Sequence, residues 1–330
     1  MKTLRILYHL ALADFLERAR RYSFLLTLAA IIYLGVLVNQ GTVFLGLIPG
    51  DFTPVNYRGV FNSAWIGTMT VLVTNSYLFL FGFFLVSNCI ARDIRTGVGQ
   101  IIATTPVSRG AYLLGKWLSN FAVLAVLELI LSAAALIMAL LKKEGALDLG
   151  ALLVPFFAVG FPLMAFIAAL AVVFETIPWL RGALGSILYF FFWLVNVLGS
   201  LLLNLGLPVL KDPFGFKVFR DSLVAAVTAE YPGATIFGYS SVVDILNNQE
   251  FKIFDWSGLD WNVGIIAGHW LWVVLALGMV LLSATWFARF DPAREGLRQA
   301  QGKPGAMVAN FSAVLKKITH RVALPDLSRV

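Results

Sequence analysis

From Trp117 to Leu141 the chain carries a single charged side chain, Glu128, and basic residues close the run at Lys116 and at Lys142-Lys143. A hydrocarbon core ~30 Å thick takes about 20 helical residues to cross, so a span is predicted over about 115–141. Five further runs meet the same test, at about 22–39, 64–88, 149–174, 183–207 and 263–287. Pro155 and Pro162 fall inside the fourth span; they predict a kink whose freed carbonyls are satisfied by neighbouring helices. The runs are continuous rather than alternating, which excludes a β-barrel.

Composition agrees. Of the 330 residues 59% are hydrophobic and 13% charged, where soluble domains carry roughly a quarter charged; a soluble enzyme and a disordered chain are both excluded. One cysteine, Cys89, leaves no disulfide framework. His9, His269 and His320 have no metal-ligand spacing. The fold class expected is an all-α polytopic membrane protein with six transmembrane helices.

The formal charge of +7 is concentrated in one set of connections. With both termini inside, 18 of the 25 lysines and arginines lie on the inner side, eight of them in the tail from Arg289. That bias predicts an N-in, C-in topology and attributes the basic charge to the cytoplasmic face rather than to nucleic acid, which is not expected as a partner. The domain plan is an interfacial amphipathic helix over 1–21, a six-span unit over 22–288 and a basic cytoplasmic tail over 289–330.

In the first of these, Leu4, Leu7, Tyr8, Ala11, Leu12 and Phe15 share one face, and Asp14–Arg18 and Glu17–Arg21 have pairing distance on the other. Such a helix lies on a bilayer or meets a partner. No secretory signal is expected, because charged residues fill the stretch before the first span and no small-residue cleavage site follows it. The outer loop 208–262 is too small for a core of its own. It is expected to cap the bundle, with a short helix over 217–230 and interfacial tryptophans at 256, 261 and 270. In the tail, Val308, Phe311, Val314, Leu315 and Ile318 make a second amphipathic face.

The inner loop 89–111 carries the densest pattern. Arg92, Asp93, Arg95, Thr96 and Gly97 lead to Ile101-Ile102, then Pro106-Val107-Ser108-Arg109, then Gly115-Lys116. Pro106 suits a first helical turn and Thr105 a cap before it. This order and spacing resembles that of the membrane-spanning permease subunits of type-2 ATP-binding-cassette (ABC) exporters. The resemblance covers most of residues 1–288, including the N-terminal helix and the six-span plan. The chain departs from the family in having Asp93 where Glu is usual, and in its long tail.

The resemblance implies that the loop is a coupling element seated on a separate nucleotide-binding ATPase subunit, touched through Arg92, Asp93, Arg95, Thr96, Gly97, Pro106, Ser108, Arg109 and Lys116. It further implies a second permease, the same or homologous, an exported hydrophobic or amphipathic cargo, and a plasma membrane of bacterial inner-membrane type. ATP and magnesium would then belong to the partner. This chain has no G-x-x-x-x-G-K-[ST] loop, so no cofactor and no enzymatic activity are expected of it.

Glu128 sits near the centre of the third span, with Asn75 in the second and Asn196 in the fifth at a similar depth. A carboxylate there needs a proton, a counter-charge or water. These three line a substrate path or hold helices together, each hydrogen bond contributing ~0.6–2 kcal/mol in the second case. A proton- or ion-coupled secondary carrier using Glu128 is the alternative function; an intramembrane enzyme is disfavoured by the lack of G-x-S-x-G or H-E-x-x-H.

Overall fold

The computed structural model describes residues 2–40, 43–49, 56–142, 144–202, 212–243, 251–287 and 290. Most of the tail, its amphipathic face included, and parts of the outer loop 208–262 lie outside the described residues.

The chain is mostly helical. Helix α1 (Lys2–Ala19) precedes α2 (Tyr22–Gln40), and the axes of the two differ by 71° where they meet. Strands β1 (Val43–Pro49) and β2 (Asn56–Gly59) lead to α3 (Ser63–Val86), then short helices α4 (Cys89–Arg95) and α5 (Val98–Ala103), then α6 (Arg109–Lys142). Next come α7 (Leu149–Pro155), a π-helical turn (Phe156–Gly160), α8 (Phe161–Thr176) and α9 (Ala183–Leu202). Helix α10 (Phe216–Glu230), strands β3 (Ile236–Val243) and β4 (Phe251–Phe254), and α11 (Val263–Ser283) complete the described fold.

Five helical stretches are long and apolar enough to cross a membrane: α3 with α4, α6, α7 through α8, α9, and α11. The bent α1–α2 pair makes a sixth if it counts as one span. The two prolines do not break the fourth stretch. Pro155 and Pro162 flank the π-helical turn, and the helix resumes on the far side. A wider turn accommodates residues whose nitrogens carry no hydrogen to give the preceding turn.

This stretch is the axis of the bundle. Every residue from Pro162 to Val172 is buried, and Ala165, Ala168, Ala169 and Ala171 present little bulk. Small side chains let α3, α6 and α11 approach it closely. Trp117 of α6 donates its indole N–H to the Ala165 carbonyl at 3.0 Å. By contrast α9 and α11 turn Leu184, Ile187, Phe191, Leu271 and Val274 outward, which suits a hydrocarbon surround.

Four strands form one sheet in the order β3-β1-β2-β4, at the end of α3 away from α4. β1 runs antiparallel to both neighbours, while β2 and β4 are parallel. An all-helical plan had not included this sheet. Beneath it, Leu47, Tyr57, Tyr239 and Phe254 are buried, and α10 adds Phe216, Phe219, Leu223 and Val227. The expected helix over 217–230 is therefore present, seated on the sheet. Trp256 is not interfacial: it is buried and donates to Ser222 Oγ at 3.0 Å. Trp270 is nearly half exposed.

Candidate functional site

The loop 89–111 folds as two short helices that close off the end of the bundle opposite the sheet. Helix α3 ends at Val86, and Asn88 takes a left-handed conformation (φ 65°) without capping α4 through its side chain. The cap arrives from elsewhere. The Glu175 carboxylate, at the end of α8, accepts from the backbone N–H of Cys89 (2.8 Å), Ile90 (2.7 Å) and Ala91 (3.0 Å). A negative charge against three N–H groups at a helix start is favourable on both hydrogen-bonding and dipole grounds. Gly97, at φ 75°, supplies the turn between α4 and α5.

Helix α6 starts later than the proline signal suggested. Ser108, not Thr105, caps it, accepting from the Ala111 N–H at 3.2 Å. Thr105 instead donates its hydroxyl to the Ile102 carbonyl at 2.7 Å, at the end of α5. Pro106 thus lies in a bend ahead of the helix, not in its first turn. The chain leaving α11 returns to this end as well: Phe287 stacks on Tyr112 at 5.7 Å and Phe290 meets the same ring edge-on at 5.3 Å.

The motif residues divide into two groups. Arg92, Asp93 and Lys116 face inward, onto the polar side of α1. Arg92 contacts Asp14 at 2.6 Å and Glu17 at 2.9 Å. Lys116 reaches Asp14 at 2.6 Å and Asp93 at 2.7 Å, and the Tyr112 hydroxyl donates to Asp93 at 2.8 Å. Side-chain exposure is 2% for Lys116 and 3% for Asp93. Nearby, Arg18 donates to the Asn120 side chain.

Asp14 and Arg18 therefore do not pair along α1, because each has a buried partner on another helix. The other expected pair does form, Glu17 to Arg21 at 2.6 Å, where both are half exposed. The net worth of such buried ion pairs is small against an apolar replacement, but removing one partner is costly. The consequence is a fixed arrangement of α1, α4 and α6.

The second group faces outward. Arg95, Thr96, Pro106, Ser108 and Arg109 are exposed, and Gly97 at the α4–α5 turn is partly so. Val98 and Ile101 of α5 are 42% and 67% exposed among them. Two bare aliphatic side chains in a basic and hydroxyl-bearing rim form a small exposed apolar patch.

Of the mid-span polar residues, two converge. A β-carbon built on Gly160 would fall 1.8 Å from a Glu128 carboxyl oxygen and 3.3 Å from the Asn75 amide nitrogen. Both side chains therefore pack against the bare Gly160 of the π-helical turn. Both are fully buried, and neither has a well-formed hydrogen-bond partner among the described residues. Asn196 does not join them: its amide donates to the Phe192 carbonyl of its own helix at 2.7 Å.

Gly160→Ala should cost roughly 1–3 kcal/mol of stability by overpacking. In the double variant with Glu128→Ala, which vacates the space, much of that loss should return. Thermal unfolding of the four proteins in a double-mutant cycle measures it; strictly additive effects would place the Glu128 carboxyl away from Gly160.

Residue types alone did not disclose Glu175, Asp14, Glu17 or Asn120 as members of this region. A trace existed for Glu175, an acid closing an apolar run just before Pro178 and Arg181. Among the described residues no group of three or more His, Cys, Asp or Glu is placed to hold a metal. No protein-family model matches the chain, and no match is found among curated proteins.

Proposed function

We propose that the chain is the permease subunit of a type-2 ABC exporter. It would have six spans, with α1–α2 providing the first, and an N-in, C-in topology in a bacterial plasma membrane. It would work beside a second permease and move a hydrophobic or amphipathic cargo by alternating access. The work would come from ATP and magnesium bound in a separate ATPase subunit, and this chain itself would be no enzyme. One observation carries the reading: the α4–α5 knob exposes Val98 and Ile101 within a rim that includes Arg95 and Arg109, while its base is held by buried ion pairs to α1 and α6. A knob that is sticky outside and rigid inside suits the transfer of motion from a soluble partner to several spans at once. To switch the bundle, nucleotide must favour one arrangement over the other by several kcal/mol.

The test is whether a nucleotide-binding ATPase subunit co-purifies with the chain. Ile101→Asp and Arg95→Glu should each weaken the complex by about 2 kcal/mol, roughly thirtyfold, with the permease still folded. Undiminished binding in both variants would remove the knob as the docking site. Glu128 and Asn75, buried together at Gly160 without a well-formed hydrogen bond among the described residues, support a second reading, a proton- or ion-coupled carrier. Cargo uptake into vesicles driven by a proton gradient without ATP would favour it.

A further inference from the structure

Glu128 meets no counter-charge among the described residues. Helix α6 packs against α1, α2, α3, α7, α8, α11 and the π-helical turn. Of these, α2, α3, α7 and the turn contain no Asp, Glu, Lys, Arg or His, and their tyrosines, Tyr22, Tyr33 and Tyr77, are exposed. On α6 itself Lys116 and Lys142 stand about 18 Å and about 21 Å from Glu128 along the axis, at ~1.5 Å per residue. Arg18 of α1 stops at Asn120, about two turns short, while Asp14 and Glu17 meet Lys116 and Arg92. Glu175 closes α8 and is taken up by the α4 N-terminus, and the charge of His269 on α11 bears on Asp212.

A carboxylate buried without a counter-charge is costly enough that such a group gives up its charge instead. The hydrogen-bond inventory leads to the same state. The Asn75 amide is in reach of the Glu128 carboxyl, and the four atoms that want a well-formed partner are Asn75 Nδ2 and Oδ1 and Glu128 Oε1 and Oε2. An ionised Glu128 accepts from Nδ2 but has no hydrogen to give, which leaves Asn75 Oδ1 facing another acceptor. A protonated Glu128 has one O–H and one carbonyl. It donates to Oδ1 and accepts from Nδ2, so acid and amide pair reciprocally and all four atoms are satisfied.

Room argues against a larger cation. Glu128 packs on Gly160 so closely that a β-carbon there would fall 1.8 Å from its carboxyl oxygen. Magnesium and calcium collect about six oxygens or more, and the two side chains supply three between them.

We propose that Glu128 and Asn75 form a proton-binding site within the bundle. One proton from water adds to the Glu128 carboxylate and is donated to Asn75 Oδ1, and the amide donates back to the other carboxyl oxygen. The bare Gly160 gives the pair its space. As a coupling ion this proton rests on the carrier reading and narrows it to a proton; as a bound proton it does not depend on transport.

Infrared spectroscopy of the full-length protein in lipid vesicles at neutral pH, with isotope-labelled glutamate, tests it. Wild type should show the C=O stretch of a protonated carboxyl, shifted down by the label and by heavy water. Glu128→Gln should lose that band while unfolding near the wild-type temperature, because Gln keeps the shape and the neutral charge. In Glu128→Asp the band should answer to labelled aspartate instead of labelled glutamate. Asn75→Leu should raise its frequency, as the partner oxygen is gone. Exchanging choline for sodium should leave the wild-type unfolding temperature unchanged.

A protonated-carboxyl band absent from wild type, or retained on labelled glutamate in Glu128→Gln or Glu128→Asp, would overturn the proposal. So would a band unmoved in Asn75→Leu, or a sodium-specific stabilisation that Glu128→Gln loses. Proton-driven uptake without ATP is measured apart: its failure removes the carrier reading and leaves the bound proton, while a missing band removes the proton whatever the vesicles take up.

Discussion

Lys116→Met should destabilise the protein by about 3–5 kcal/mol, the cost of removing one partner from a buried ion pair. In detergent this is a fall in the unfolding midpoint on the order of 10 °C. The ammonium is the bridge between two carboxylates, 2.6 Å from Asp14 and 2.7 Å from Asp93. Without it the two acids have, among the described residues, only the Arg92 cation, which is already shared with Glu17. Asp93 still receives the Tyr112 hydroxyl, yet one hydrogen bond does not balance a charge held away from water. Neutralising the acid in Asp93→Asn/Lys116→Met should recover part of the loss, with a coupling of about 0.5–3 kcal/mol between the two sites.

The control is Arg95→Glu. Arg95 belongs to the same sequence motif but is exposed, so its reversal should change stability by no more than about 0.5 kcal/mol, its effect falling instead on the proposed binding of an ATPase subunit. If Lys116→Met unfolds at the wild-type temperature, the buried cluster does not hold α1 to α6.

That contrast shows where a sequence pattern stops being legible. The run Arg92 to Lys116 reads as one motif, and every member reads as a surface contact. Which members face inward depends on α1, whose Asp14 comes from a point in the chain remote from Lys116. Periodicity placed Asp14 on the polar face of α1 and so, by default, toward water. Its burial follows only once another helix brings cations to it.

The apolar runs were readable because a run of membrane length has few alternatives: α11 begins at its expected limit and α6 ends within one residue of its own, although α6 starts six residues earlier. The sheet was not, because its partners come from different connections: β1 and β3 pair at Leu47 and Tyr239 with the greater part of the chain between them. Depth along a span was likewise readable, whereas direction around it was not. Glu128 and Asn75 turn to the same glycine, but Asn196, at a comparable depth, bonds to its own helix.

Glu175→Ala should have the largest local effect. Helix α4 has seven residues, too few to persist on its own propensity, and the left-handed Asn88 gives it no side-chain cap. Its first three N–H groups depend on one carboxylate from α8. Hydrogen bonds to a charged group contribute about 1.5–3 kcal/mol singly, and less than their sum together, so a loss of about 3 kcal/mol is expected. Amide hydrogen exchange over Cys89 to Ala91 should accelerate by roughly a hundredfold, the equivalent of that energy or slightly less. Glu175→Gln keeps one carbonyl acceptor and should fall between.

Fraying at Cys89 also loosens Arg92 and Asp93, so α1 should gain exchange in the same variant although Glu175 has no bond to it among those described. Ile101→Asp, by comparison, should leave both regions protected, because Ile101 points away from the bundle. Unchanged exchange at Cys89 to Ala91 in Glu175→Ala would mean that α4 is held by its packing alone. In that case the posture of the knob would be set by α5 and the Phe290 contact with Tyr112, and α8 would have no direct grip on the surface offered to a partner.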